Sequence, residues 1–165
     1  MLRHGMFFLL LVVQAQCNVS ENSGPVQAHC LECICKVESG CKAIGCHKDV
    51  GSLSCGYYQI KEGYWIDCGK PGKDWKSCAD DYTCASQCVQ NYMIRYSKSC
   101  PQTCEGFARE HNGGPRGCKN PATLGYWKRL KSIKGCGDLE TLRFQTTWCK
   151  GKRVFWLDFY KNLYY

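Results

Sequence analysis

No stretch of this chain reaches the about 18 consecutive apolar residues that a membrane-crossing helix needs, so no membrane span is expected. No run of five or more basic residues occurs and the Lys and Arg are scattered, which argues against nucleic acid as a partner. Acidic side chains are in the minority, 14 Asp and Glu against 22 Lys and Arg, for a formal net charge of +8. The cluster Cys30-x-x-Cys33-x-Cys35 has metal-like spacing, but no Cys/His pair follows at finger spacing. No metal and no cofactor is therefore expected. At 165 residues the chain is too short for a barrel of eight β/α units or a doubly wound enzyme with a second lobe. A hydrophobic content of 44% excludes a mostly disordered chain.

What the chain has in abundance is cysteine, 16 residues of it. The N-terminus gives the compartment. Arg3 and His4 precede an apolar run from Met6 to Val13, and small residues follow. That order reads as a signal peptide over residues 1–17, cut after Ala15 or after Cys17, and implies a secreted, extracellular protein. In an oxidising compartment the 14 cysteines from Cys30 to Cys136 are expected to form up to seven bridges, and their spacing is compatible with many pairings. Cys17 and Cys149 lie outside that block. They pair with each other, or Cys17 leaves with the signal and Cys149 is odd.

Residues 18–29 are polar and read as a flexible leader. Leu31, Ile34, Cys35 and Glu38 recur at helical spacing, with Gly40 as the stop, which puts Glu38 on an apolar helix face. Cys41 to Asp49 reads as a cysteine-tied loop. Tyr57 to Lys61 and Tyr64 to Ile66 read as short strands around a Lys-Glu-Gly turn. Cys84, Cys88, Tyr92 and Tyr96 share a helix face, and Phe107, Ala108 and His111 end another helix before Asn112-Gly-Gly-Pro115. Asn120-Pro121 opens a last helix whose buried face would be Leu124, Trp127 and Leu130. Short helices plus one hairpin predict a disulfide-rich α+β domain over residues 30–136. Residues 137–165 differ in character: eight aromatics fall there, as in a packed strand or helix, an interaction tail or a loose extension.

Cleaving a glycosidic bond needs two carboxyl groups in different protonation states. An apolar surround disfavours the charged form of one of them, which is the setting expected for Glu38. Asp49 follows a cysteine-tied loop and could face it across a cleft. Six blocks extend this reading. They are Cys30-Leu-Glu-Cys-Ile-Cys-Lys-Val-Glu-Ser-Gly-Cys41, Asp49-Val-Gly-Ser-Leu-Ser-Cys-Gly56 and Gln59-Ile-Lys-Glu-Gly-Tyr-Trp-Ile-Asp-Cys-Gly69. Further along come Cys84-Ala-Ser-Gln-Cys-Val-Gln-Asn-Tyr-Met93, Ala108-Arg-Glu-His-Asn-Gly-Gly-Pro-Arg-Gly-Cys118 and Gly125-Tyr-Trp127. In order and content the chain resembles the invertebrate-type lysozymes, the destabilase family, over about 107 of its residues.

The resemblance implies a lysozyme-like fold and hydrolysis of β-1,4 bonds in bacterial peptidoglycan, for digestion or defence. It implies Glu38 as catalytic acid and Asp49 as catalytic aspartate, acting through a covalent intermediate with retention. It implies sugar contacts from Lys61, Glu62, Gly63, Tyr64, Trp65, Ile66 and Asp67, and from Tyr92, His111, Asn112 and Gly113. Some members are also credited with isopeptidase activity through a Ser/Lys pair, matched here by Ser52 and Lys61. The rival reading is a cationic carbohydrate-binding or antimicrobial protein without catalysis, against which the presence of both carboxyls counts.

Overall fold

The computed structural model describes residues 24–139 and the paired strands 144–149 and 152–157. The proposed signal peptide, Cys17 and the remainder of the C-terminal extension lie outside the described residues. In order come α1 (Ala28–Ser39), a hairpin of β1 (Cys46–Asp49) and β2 (Ser52–Cys55), α2 (Glu62–Asp67), α3 (Trp75–Ala79), α4 (Tyr82–Arg95), α5 (Cys104–Gly113), two 3-10 turns (Gly117–Lys119, Pro121–Thr123) and α6 (Leu124–Ser132). A second hairpin pairs β3 (Phe144–Cys149) with β4 (Lys152–Leu157) antiparallel.

Helix α1 forms where its apolar residues repeat at helical spacing, and it buries Cys30, Leu31, Cys33, Ile34 and Cys35. Gly40 ends it at φ +65, a left-handed conformation that costs glycine no Cβ clash. Asp81 caps α4 by accepting from the Cys84 amide, and Thr103 caps α5 by accepting from the Gly106 amide. The same core takes in Ala85, Cys88, Val89 and Met93 of α4, Phe107 and Ala108 of α5, and Tyr126, Trp127 and Leu130 of α6. Ile34 and Leu130 are fully buried. Truncating either to Ala should cost about 2–5 kcal/mol.

Seven disulfides occur among the described residues. Three leave α1: Cys30–Cys104 reaches α5, Cys33–Cys136 reaches the end of the domain and Cys35–Cys41 ties down the next loop. Cys46–Cys55 staples the hairpin across directly opposed residues. Cys68–Cys88 fixes the end of α2 to α4, Cys78–Cys84 joins α3 to α4, and Cys100–Cys118 holds the segment before α5 to the first 3-10 turn. The Cys33–Cys136 bridge spans 103 residues, for which chain entropy allows roughly 4–5 kcal/mol of stabilisation.

Four expectations change. The loop read over Cys41 to Asp49 contains strand β1, paired with Ser52–Cys55. The strands read at Tyr57 to Lys61 and Tyr64 to Ile66 are a turn with one isolated bridge and the helix α2. Tyr64, Trp65 and Cys68 are spaced for a helix face, and the Cys68 disulfide holds that face against α4. The segment read as a flexible leader is anchored from Val26 onward. Val26 is buried, its amide donates to Gln90 Oε1 at 2.8 Å, and its carbonyl accepts from Gln90 Nε2 at 2.6 Å. Finally, Leu124 is exposed, and Tyr126 joins Trp127 and Leu130 on the buried face of α6.

Candidate active site

One groove of about 880 Å³ runs between α1, the first hairpin, α2, α5 and α6. Glu38 reaches it from the last turn of α1, and Asp49 from the last residue of β1. The two carboxyls differ in setting: the Glu38 side chain is 16% exposed and that of Asp49 54%.

Glu38 is screened by aromatic and imidazole groups. Its Oε1 stands 3.6 Å from His111 Nε2, and its charge acts on the buried Tyr64 and Tyr126 hydroxyls. Burial pushes both of those hydroxyls well above their ordinary value, and the carboxylate adds to the effect. The buried His111 side chain bonds at both nitrogens. Nε2 lies 3.0 Å from the Tyr58 carbonyl and Nδ1 3.2 Å from the Tyr64 hydroxyl. A carbonyl only accepts, so Nε2 carries the proton and Nδ1 of the neutral ring accepts from Tyr64. Burial holds the His111 pKa below its ordinary value, opposed by Glu38 and by the bond to Tyr58.

Asp49 is held differently. Lys61 Nζ donates to its Oδ2 at 2.9 Å and to its carbonyl at 3.2 Å, and Ser54 Oγ donates to Oδ2 at 3.3 Å. The hydrogen bond and charge of Lys61 keep the Asp49 carboxyl below the usual range. Both side-chain donors sit on Oδ2, which leaves Oδ1 without a hydrogen bond among the described residues. Val50 and Gly51 turn the hairpin at φ +41 and +80. Positive φ at both central residues suits a hairpin turn, and it is strained for the β-branched Val50.

Of the residues expected to touch sugar, Lys61, Glu62, Gly63, Tyr64, Asp67, Tyr92, His111 and Asn112 all line the groove. Tyr64 stacks on Tyr92 with ring centroids 3.7 Å apart. Trp65, Ile66 and Gly113 lie outside that lining. The Trp65 indole N–H donates to the Pro71 carbonyl at 2.9 Å, and the ring packs on the core. Ser52 lines the groove and accepts from Lys61 Nζ at 2.7 Å. Sequence reasoning missed Ser54, Trp75, Tyr126 and Arg129 as groove residues. For the last two a signal existed: Tyr126 lies in the Gly125-Tyr-Trp127 block, and Arg129 follows it at helical i+3 spacing. No group of three or more His, Cys, Asp or Glu among the described residues is arranged to hold a metal ion.

A family model described as Destabilase matches residues 27–133. The chain is 68% identical over 115 residues to a lysozyme of Meretrix lusoria, covering 68% of this chain and 94% of that protein. It is 60% identical over 121 residues to invertebrate-type lysozyme 2 of Caenorhabditis elegans, covering 66% and 87% respectively. The solved structure of inhibitor-bound lysozyme from Meretrix lusoria superposes with a TM-score of 0.70 at 65% identity, over 72% of this chain and 98% of that one.

Proposed function

The chain belongs to the destabilase family of invertebrate-type lysozymes, and from that premise we propose how its groove cuts a glycan, with Glu38 as acid and Asp49 as nucleophile. It is a glycoside hydrolase of the lysozyme type with the lysozyme-like α+β fold. The substrate is bacterial peptidoglycan, and the protein works outside the cell. The seven bridges among the described residues suit an oxidising compartment, and the charge of +8 favours encounter with an anionic wall.

The observation that carries the catalytic assignment is the pairing of two unlike carboxyls on one groove. The sheltered Glu38 delivers a proton to the glycosidic oxygen as the bond breaks. Asp49, held anionic by Lys61, attacks the anomeric carbon through Oδ1, because Oδ2 is occupied by Lys61 and Ser54. Water then releases the glycosyl group, with Glu38 now taking the proton. His111, donating to the Tyr58 carbonyl and accepting from Tyr64, holds the wall beside Glu38 in one arrangement. The Tyr64–Tyr92 stack offers an apolar surface for a sugar ring.

The test is Glu38→Gln and Asp49→Asn, made separately and checked for native circular dichroism. Each should lower reducing-sugar release from peptidoglycan by about a hundredfold or more. Near-normal release by either folded variant removes that residue from the mechanism. Release of reducing ends by the unaltered protein also separates catalysis from simple carbohydrate binding.

The 2.7 Å contact between Lys61 Nζ and Ser52 Oγ favours a second activity, isopeptide cleavage. As placed, Lys61 donates to Ser52 and to Asp49 alike, so it must first give up a proton to solvent and present a neutral amine before it can take the Ser52 proton. Failure of the purified protein to split an ε-(γ-glutamyl)-lysine bond would end that reading.

A further inference from the structure

We propose that Arg129 binds a carboxylate of the glycan and so gives the groove a preference for acidic over neutral polysaccharide. The inference rests on the lysozyme reading above.

The other positive or imidazole groups of the groove are mostly engaged. Lys61 is bound to Asp49, both His111 nitrogens have partners, and His47 Nε2 meets the Ile44 carbonyl at 2.7 Å. Arg129 differs. It lines the groove from α6, is exposed, and has no acidic partner among the described residues. Its guanidinium carbon lies 5.7 Å from the centroid of the Tyr126 ring. An aromatic partner fixes the cation's orientation while consuming none of its N–H donors. The hydroxyl of that same Tyr126 lies within the field of Glu38. Glu38, Tyr126 and the exposed Arg129 line the same groove, so the guanidinium faces the space in which Glu38 acts. Lys48, also exposed on the groove and without an acidic partner among the described residues, adds positive charge on the hairpin side.

The chemistry of the substrate supplies what this guanidinium lacks. Every second sugar of a peptidoglycan strand carries a lactyl ether. Its carboxyl is free where the peptide has been removed, and is otherwise extended by a stem peptide with carboxylates of its own. A polymer of N-acetylglucosamine alone carries none. A planar guanidinium takes a carboxylate through two parallel N–H bonds, which an ammonium cannot reproduce.

The experiment measures kcat and KM for the unaltered protein, Arg129→Gln and Arg129→Lys on three substrates. They are an N-acetylglucosamine oligomer, peptide-stripped glycan with free lactyl carboxylates, and peptidoglycan with intact stems. Arg129→Gln should raise KM about five- to tenfold on at least one acidic substrate, with kcat held within about twofold. The neutral oligomer should be unaffected, and Arg129→Lys should fall between. The acidic substrate that responds identifies which carboxylate is read. Added salt should shrink the difference. Calorimetric binding of acidic fragments to the same proteins repeats the test without turnover and should show the same loss. Equal loss on all three substrates, or none on any, overturns the proposal. If the unaltered protein cuts none of them, the lysozyme reading itself fails.

Discussion

Lys61, the residue before α2, holds Asp49 at the end of β1 through an ion pair of 2.9 Å. Both side chains are about half exposed, so the pair contributes little to stability. Its consequence is local. It holds the Asp49 carboxyl below its ordinary range and occupies one particular oxygen, Oδ2.

Replacing Lys61 with Met should therefore change the pH profile before it changes the fold. Asp49 has its pKa depressed by Lys61, so without that cation its pKa climbs back toward the ordinary carboxylate value. The acidic limb of kcat/KM should move to higher pH, with little change in melting temperature. An unmoved limb would mean that Asp49 does not set it.

His111 gives the stability curve one slope. Its folded pKa lies below the ordinary 6.5, so its contribution is present above that value and is lost as pH falls through the folded pKa. Thermal unfolding followed from pH 7.5 to 5 should show this loss, and His111→Gln should flatten the curve over the same range.

Glu110, one residue earlier on α5, gives the opposite slope. It is wholly buried, neither carboxyl oxygen has a hydrogen-bond partner among the described residues, and burial raises its pKa from 4.5 to about 7. Its contribution is fully present below pH 4.5 and is lost as pH rises through 7. Glu110→Gln should raise the melting temperature at pH 8 by a few degrees and leave it unchanged or lower at pH 4.5. An equal shift at both values would show that the carboxyl does not ionise in this range.

Val50 is 97% exposed at the hairpin tip with φ +41. Asn tolerates that conformation far better, and Asn-Gly is the preferred pair for such a turn. Val50→Asn should stabilise the protein by about 1 kcal/mol in denaturant unfolding. A loss instead would show that the Val50 side chain makes contacts worth more than the strain it carries.

Local order was legible in the sequence where a short-range rule governs it. The 3.6-residue repeat from Leu31 to Glu38, the Gly40 stop and the four-residue repeat through Cys88 and Tyr92 all appear in the fold, whereas Asn120 caps the 3-10 turn Pro121–Thr123 and the last helix starts after it, at Leu124. So does the sharing of one groove by Glu38 and Asp49, which the motif order anticipated. Segments with two possible periods were not legible. Glu62 to Asp67 has aromatics that suit a strand, yet it forms a helix whose Tyr64 and Trp65 pack on the core and whose C-cap Cys68 is bonded to Cys88 on α4.

By itself, then, the sequence determined where the amphipathic helices α1, α4 and α5 form, how many thiols there are to pair, and which family of glycan-cutting enzymes the chain joins. The tertiary structure alone decided which cysteines meet, that Lys61 and Ser54 occupy one oxygen of Asp49, and that Tyr126 and Arg129 line one groove with Glu38, some ninety residues away. Helical spacing and caps act within a turn or two of backbone. Meetings across tens of residues depend on which faces are buried together, and no local pattern encodes them.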